Sequence, residues 1–348
     1  MSNTGISRSS PPAPQPRPGR KPAGIYYYSR RKKRIRQLLA GIISLFLVFS
    51  LCFLGFLYVP IQPFEMLREL WVTSAMTTMS HQYLATSLFS QAEIQQIMDN
   101  NKAADLGNSH PSAVKTQGTD KDSGIELIDI SQKGFKGYLL KVKDPERVKV
   151  AATRYLGQVG EKAEDIAKEN GASAVINGGV FDDPQGTGNG GQPLGILISE
   201  GRILYKDSAS SFDIIGLNQD NVLVLGHYTL SQIKQMGIRD AVTFSPFLVV
   251  DGKPAITHGD GGWGIAPRTA IGQTKDGSIL MLVIDGRQLG SLGATLKDVQ
   301  DIMLQYGAYN VANLDGGAST VLYYDGKIVN HPSSQYGERS IPSFFIVK

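Results

Sequence analysis

Cysteine is nearly missing from this chain: 348 residues contain one, Cys52. With no second thiol there is no internal disulfide and no cysteine-based metal site. Histidine is sparse too, and the five (81, 110, 227, 258, 331) are scattered, with no His-Glu-x-x-His zinc helix among them. The Gly-x-x-x-x-Gly-Lys-Ser/Thr phosphate loop and the Gly-x-Ser-x-Gly elbow are also absent, which leaves nucleotide hydrolysis of the P-loop kind and a Ser/His hydrolase without a supporting motif.

Acidic residues are missing from positions 1–37, where ten of the 35 Lys/Arg lie. The remainder carries 25 basic against 31 acidic residues, a net of −6 behind an overall +4. A basic tail on an acidic body gives no footprint for nucleic acid. Charge is then absent altogether from Leu38 to Val59, 22 residues that reach across a bilayer as a helix at about 1.5 Å per residue. The run Arg30-Arg31-Lys32-Lys33-Arg34-Ile35-Arg36 stands just before it, so the positive-inside rule keeps the N-terminus cytoplasmic and sends residues 60–348 outside. A cleaved signal peptide is the alternative. The apolar stretch is too long for its h-region, the tail too long for its n-region, and Tyr58-Val59-Pro60 has no small-residue cleavage pattern.

Residues 1–37 read as a disordered cytoplasmic tail, Pro-, Ser- and Gly-rich over 3–24, and 38–59 as a signal anchor. No proline follows Pro63 through residue 101, and Leu67, Leu70, Trp71, Ala75 and Met79 recur at helical spacing, so 60–101 is expected to be a helical stalk, free or packed on the body or a partner. Ser90 with Glu93 forms a capping box, placing the start of a second helix there. Residues 102–124 are polar and read as a linker.

From 125 the pattern changes to short β-rich runs: 125–130, 138–142, 148–152, 174–177, 278–284 and 309–314. Glu200-Gly201, Asp251-Gly252 and Asp325-Gly326 are two-residue hairpin turns, and Asp276-Gly277 is a further turn. Helices are expected at 160–170, ended by Gly171, and from Thr295, whose capping partner is Asp298 and whose buried face is Leu296, Val299, Ile302, Met303 and Tyr306. Hairpins mixed with a few helices predict an α+β fold, a single mixed-sheet domain over 125–348.

Three apolar strands end in polar-glycine pairs: at Asn177-Gly178-Gly179, at Asp285-Gly286 and at Asp315-Gly316-Gly317. Glycine lets backbone approach a ligand closely, so these ends are expected to share one rim. Arg268, in Pro267-Arg268-Thr269-Ala270-Ile271-Gly272, offers a two-donor fork to a phosphate. Trp263, in the glycine-rich 258–264 loop, is open to two roles, stacking on a sugar ring or covering the edge of the core. The loop 182–191 is either a lid or a plain solvated loop.

From Ile125 to Lys348 these motifs, in order and spacing, together with Leu194-Gly195 and the closing His331-Pro332-Ser333…Glu338-Arg339, resemble the phosphodiester glycosidase family. That family is related to the enzyme that uncovers mannose 6-phosphate by removing N-acetylglucosamine from its phosphodiester. Val180 stands where a bulkier aromatic is frequent, and Ala318 replaces a third glycine. Arg287 and Glu338 occupy positions that vary among relatives. The resemblance, which does not reach residues 1–124, implies a hydrolase that cleaves a sugar-1-phosphodiester, releasing the sugar and leaving a phosphomonoester; with the anchor read from 38–59 it would act outside the cell on surface glycans or related glycoconjugates. Arg268 and Arg339 would pair with the phosphodiester, aided by N–H groups of Gly316 and Gly317, with Gly178, Gly179, Thr269 and Gly286 in the binding motifs. Asn177 and Ser319 would hold sugar hydroxyls. Asp315, then Asp285, would be the carboxylate that an oxocarbenium-like centre needs. No cofactor is required. A divalent cation on Asp260, Asp285 and Asp315, cutting the P–O bond instead, is an alternative without tight ligand spacing, and a non-catalytic glycan-binding or assembly protein is the rival class.

Overall fold

The structure, a computed structural model, describes residues 10, 14–15, 19, 23–78, 80–116, 124–183, 190–334 and 337–348. Contacts divide the chain into 1–60 and 61–348. In the first unit Ala23–Tyr58 is one helix. Within its Arg31–Tyr58 portion the most apolar 18-residue stretch has a mean hydropathy of 2.6, and among the described residues it is the one helix long and apolar enough to cross a membrane.

The second unit is built on three antiparallel sheets. A seven-stranded sheet has the order Ile125–Asp129, Gly137–Val142, Ile279–Ile284, Arg268–Thr274, Ala308–Asn313, Phe247–Val250, Lys253–Pro254. A second runs Leu223–Thr229, Ser211–Asn218, Ile238–Thr243, Ile196–Ser199, Arg202–Lys206. The third runs Lys327–Ile328, Leu322–Tyr324, Ala174–Asn177, Ser343–Val347, Val148–Ala152. Phe181–Asp182 and Gln192–Pro193 pair separately.

Side chains alternate along a strand, and here both faces are apolar. Met281 and Val283 join Ile176, Phe345, Leu197, Ile215 and Leu225 in one interior shared by all three sheets. Leu280, Leu282 and Ile284 point the other way, onto Leu296, Val299 and Met303 of helix Leu296–Gln305. Val175, Phe344 and Ile346 likewise meet helix Ala163–Asn170, and Ile196, Ile214 and Val224 meet the short helix Leu230–Gln235. A helix therefore closes the outer face of each sheet. That double burial explains why 279–284 reads as unbroken hydrophobicity although its neighbours are antiparallel.

The expected α+β class is observed, but 61–116 is not a free stalk and linker. Helices Phe64–Met76 and Gln91–Asn101 pack on each other and on the 256–265 loop: Thr73 Oγ1 donates to Asp260 Oδ2 at 2.5 Å, and Ile265 N–H donates to Ser74 Oγ at 3.1 Å. The polar run after them lies along the body as a strap. Ala104 N–H bonds Ala255 O, Ser109 N–H bonds Leu225 O, and Lys115 N–H bonds Lys275 O. Its polar side chains cap open strand edges and are not merely solvated: Asn108 Oδ1 accepts from His227 N–H and Ser109 Oγ from Leu225 N–H. Met79 and 117–123 lie outside the described residues, as do most of 1–22 and the lid expectation over 184–189.

Candidate active site

Strand register builds the rim. Arg268 pairs with Ile284, which places Asp285 beside Pro267 on one side, and Ala270 pairs with Asn313, which brings Leu314 and Asp315 past the other. The third sheet meets them there: Asp315 N–H donates to Gly178 O at 3.2 Å, and Asn177 Nδ2 donates to Asp315 O. The three strand ends expected to share one rim do so.

Asp315 is partly exposed at this rim, and the protein around its carboxyl pushes its pKa up to about 6. Burial is the dominant cause, and three groups oppose it: the Ser319 hydroxyl, the Arg339 charge and the Gly316 N–H. They form a chain. Arg339 Nη1 donates to Ser319 Oγ at 2.9 Å, which leaves the hydroxyl proton for the Asp315 carboxylate. The other arm of Arg339 is ion-paired with Asp183, and its guanidinium lies 4.9 Å from the centre of the Phe181 ring. Asp315 is thus a carboxylate that titrates near neutrality, beside hydroxyl and cationic partners that favour its charged form.

Asp285 is more enclosed, at 3% exposed. Its Oδ1 accepts from Asn330 Nδ2 at 3.0 Å and His331 N–H at 2.9 Å, while desolvation raises its pKa. Asn330 also binds Leu322 N–H and Thr320 O, so Asp285 ties the 330–331 turn to the segment after Ser319.

Several expected ligand-facing groups have other work. Asn177 is fully buried; its Oδ1 accepts from Thr269 Oγ1 at 2.7 Å and Val321 N–H at 3.1 Å, so it fixes the Asp315 backbone and is not open to a sugar hydroxyl. A Cβ on Gly178 would lie 2.8 Å from Ser343 O, one on Gly179 would lie 2.7 Å from Thr243 O, and one on Gly286 would lie 2.7 Å from Pro267 N. These glycines let one strand end approach another. The N–H of Gly178 is taken by Ser343 O and that of Gly179 by Ser343 Oγ. The Gly317 N–H donates to Pro267 O and is not left for a phosphate, while that of Gly316 faces the Asp315 carboxyl and lowers its pKa.

Arg268 is 3% exposed and donates from Nε to Ala294 O and from Nη2 to Trp263 O and Gly264 O. Burial lowers its pKa to about 10. It binds the 258–266 loop to the sheet. Trp263 packs against the core with its ring 6.0 Å from that of Phe244, which decides in favour of covering the core edge. Asp260 is spent on Thr73 and the N–H groups of Gly262 and Gly264. Among the described residues no three His, Cys, Asp or Glu side chains are grouped to hold a metal ion. Glu338 caps the N-terminus of helix 163–170 by accepting from Ala163 N–H.

Two features escaped sequence reasoning. Asp183, ion-paired with Arg339, sits in a loop with no motif of its own. Arg287 adopts φ +59°, a left-handed conformation that a side chain rarely takes, and the sequence carries no signal of it. Ser211, His227 and Asp213 also form a hydrogen-bond chain on the second sheet, Oγ to Nε2 at 2.6 Å and Nδ1 to Oδ1 at 2.8 Å. Its imidazole and carboxylate stand 61% and 43% exposed, so water competes for every member of it.

A family profile described as phosphodiester glycosidase (NAGPA) matches residues 170–348. The SPbeta prophage-derived uncharacterized protein YomE of Bacillus subtilis (strain 168) is 30% identical over 184 residues, covering 50% of this chain and 27% of that protein. The N-acetylglucosamine-1-phosphodiester alpha-N-acetylglucosaminidase of Bos taurus is 24% identical over 255 residues, 65% of this chain and 46% of the relative. The chain therefore spans less than half the length of either relative. The solved zebrafish N-acetylglucosamine-1-phosphodiester alpha-N-acetylglucosaminidase (NAGPA) catalytic domain, auto-inhibited by pro-peptide, shares the fold: TM-score 0.56 at 21% identity, over 70% of this chain and 96% of that one.

Proposed function

From the premise that this chain belongs to the phosphodiester glycosidase family, we propose that it hydrolyses sugar-1-phosphodiesters, with Asp315 as the reacting carboxylate. The bond between the anomeric carbon and the phosphate oxygen breaks, the oxygen of water joins the anomeric carbon, and a phosphomonoester departs. A phosphate leaving group is the anion of a strong acid and needs little protonation. What the oxocarbenium-like centre does need is a carboxylate to face it. Asp315 stands at the rim, and Ser319 and Arg339 counter the burial that would keep it protonated. That observation carries the reading. Asp285, locked by Asn330 and His331, is assigned to holding the rim in shape.

The Arg31–Tyr58 helix would anchor the chain in a single pass with its basic end inside, leaving the body to meet phosphodiester-linked glycans outside the cell. The test uses the full chain with an N-acetylglucosamine-1-phosphodiester in ¹⁸O-labelled water. Free sugar carrying the label is expected, and Asp315→Asn should lower kcat by about 10²–10⁴-fold with binding retained. Label in the phosphate would mean P–O cleavage. Binding without turnover by the wild type would make the protein a glycan-binding one.

A further inference from the structure

Three arginines meet the rim, and two are committed. Arg339 is ion-paired with Asp183 and bonded to Ser319. Arg268 is buried among the carbonyls of Trp263, Gly264 and Ala294. The third, Arg287, is exposed, and its side chain makes no hydrogen bond or ion pair among the described residues.

We propose that Arg287 is the residue that binds the phosphodiester of the substrate, and that it sets the preference for a charged aglycone over a neutral one. The assignment rests on the glycosidase reading above.

Its placement is built, not incidental. Arg287 holds φ +59° although glycine, which takes that conformation freely, stands directly before it at 286. The turn around it is fastened on every side: Arg287 N–H to Leu292 O at 3.0 Å, Gln288 and Ser291 bonded to each other, Ser291 Oγ to Asp285 O at 2.8 Å, and Gln288 Nε2 to His331 O at 2.7 Å. The guanidinium then lies over the loop that carries Asp315. A Cβ on Gly317 would come within 3.4 and 3.6 Å of its two terminal nitrogens, so Gly317 provides the bed for the arm. That places a fork of donors, unpaired among the described residues, over Gly317, which follows Asp315 by two residues. The Arg287 charge also bears on Arg268, which lies close by. With no anionic partner among the described residues, its guanidinium suits the planar, two-donor recognition of a phosphate.

The experiment compares wild type with Arg287→Gln, Arg287→Lys and Arg287→Gly on two substrates: an N-acetylglucosamine-1-phosphodiester and a neutral aryl N-acetylglucosaminide. Arg287→Gln is expected to lose on the order of 100-fold in kcat/KM on the phosphodiester and far less on the aryl glycoside, with Arg287→Lys between. Arg287→Gly, relieved of the left-handed backbone, is expected to melt above wild type while losing the phosphodiester as fully as Arg287→Gln. Equal losses on both substrates, or a glycine variant that melts lower, would overturn the proposal. Calorimetry with N-acetylglucosamine-1-phosphomethyl ester keeps the result separate from the hydrolase reading. If neither substrate turns over, weaker binding by Arg287→Gln than by wild type still supports the phosphate site, and equal binding rejects it.

Discussion

Asp315 has a thermodynamic signature that needs no substrate. Its native pKa of about 6 lies above the unfolded 3.8, so the folded chain holds that proton more tightly. The Asp315 contribution to stability is therefore greatest below about pH 4, declines as pH rises through about 6, and stays lower beyond. Asp315→Asn removes the ionisation, and urea unfolding should show a gain of roughly 1–3 kcal/mol near pH 7.5 that vanishes below about pH 4. The same gain at both pH values would show that ionisation is not its source. If Asp315 acts as the carboxylate, the acid limb of kcat/KM in the wild type should also rise through about pH 6. At this scale the sequence announced the carboxylates, Ser319 and Arg339, because each sits beside a glycine pair or a family motif. It misled on Asn177 and on Gly178, Gly179 and Gly286. A glycine tells that something comes close; whether that is a ligand or a strand from another sheet is a non-local fact that neighbouring residues do not encode.

Gly179 makes that point testable at the scale of elements. Its absent side chain lets the end of strand 174–177 lie against Val242 and Thr243 of the second sheet, where Val180 N–H bonds Thr243 O at 2.9 Å. Gly179→Ala drives a methyl into backbone that cannot swing aside, and a loss of about 1–3 kcal/mol is expected by thermal melting, with reduced activity as Gly178 shifts from Asp315. A variant that melts like wild type would refute the close-contact account. Other elements were plain in advance. The boxes at Ser90/Glu93 and Thr295/Asp298 cap the helices they announced, and Gly171 ends its helix at φ +61°. Glu200-Gly201, Asp251-Gly252 and Asp325-Gly326 all have positive φ at both residues, as two-residue hairpin turns demand. Strands 211–218 and 223–229 were not anticipated. Their turn uses Asn221 at φ +62° with no glycine, and Asp213 and His227 interrupt the apolar pattern on the face turned to water.

The whole body begins well before the residues that resemble the family. A chain trimmed to 125–348 loses the strap that bonds Ala255, Leu225 and Lys275, and leaves the Asp260 carboxylate without Thr73. Compared with 61–348 by circular dichroism, it should aggregate or melt on the order of 10 °C lower, at roughly 2–4 °C per kcal/mol for a body of this size. Coincident melting curves would return the strap to the status of a linker. Sequence could not show this, because an extended polar segment looks the same whether it lies in solvent or fills the hydrogen bonds of a sheet edge.

Strand 343–347 does not lie at the margin of its sheet but between 174–177 and 148–152. Both its partners are synthesised long before it, so the sheet that supplies Asn177 cannot zip shut until residues 343–347 have emerged. Closing contacts so distant along the chain is slow. The rim around Asp315, which the third sheet meets through Asn177 and Gly178, is therefore among the last parts of the body to be completed, only after residues 343–347 have paired on both sides.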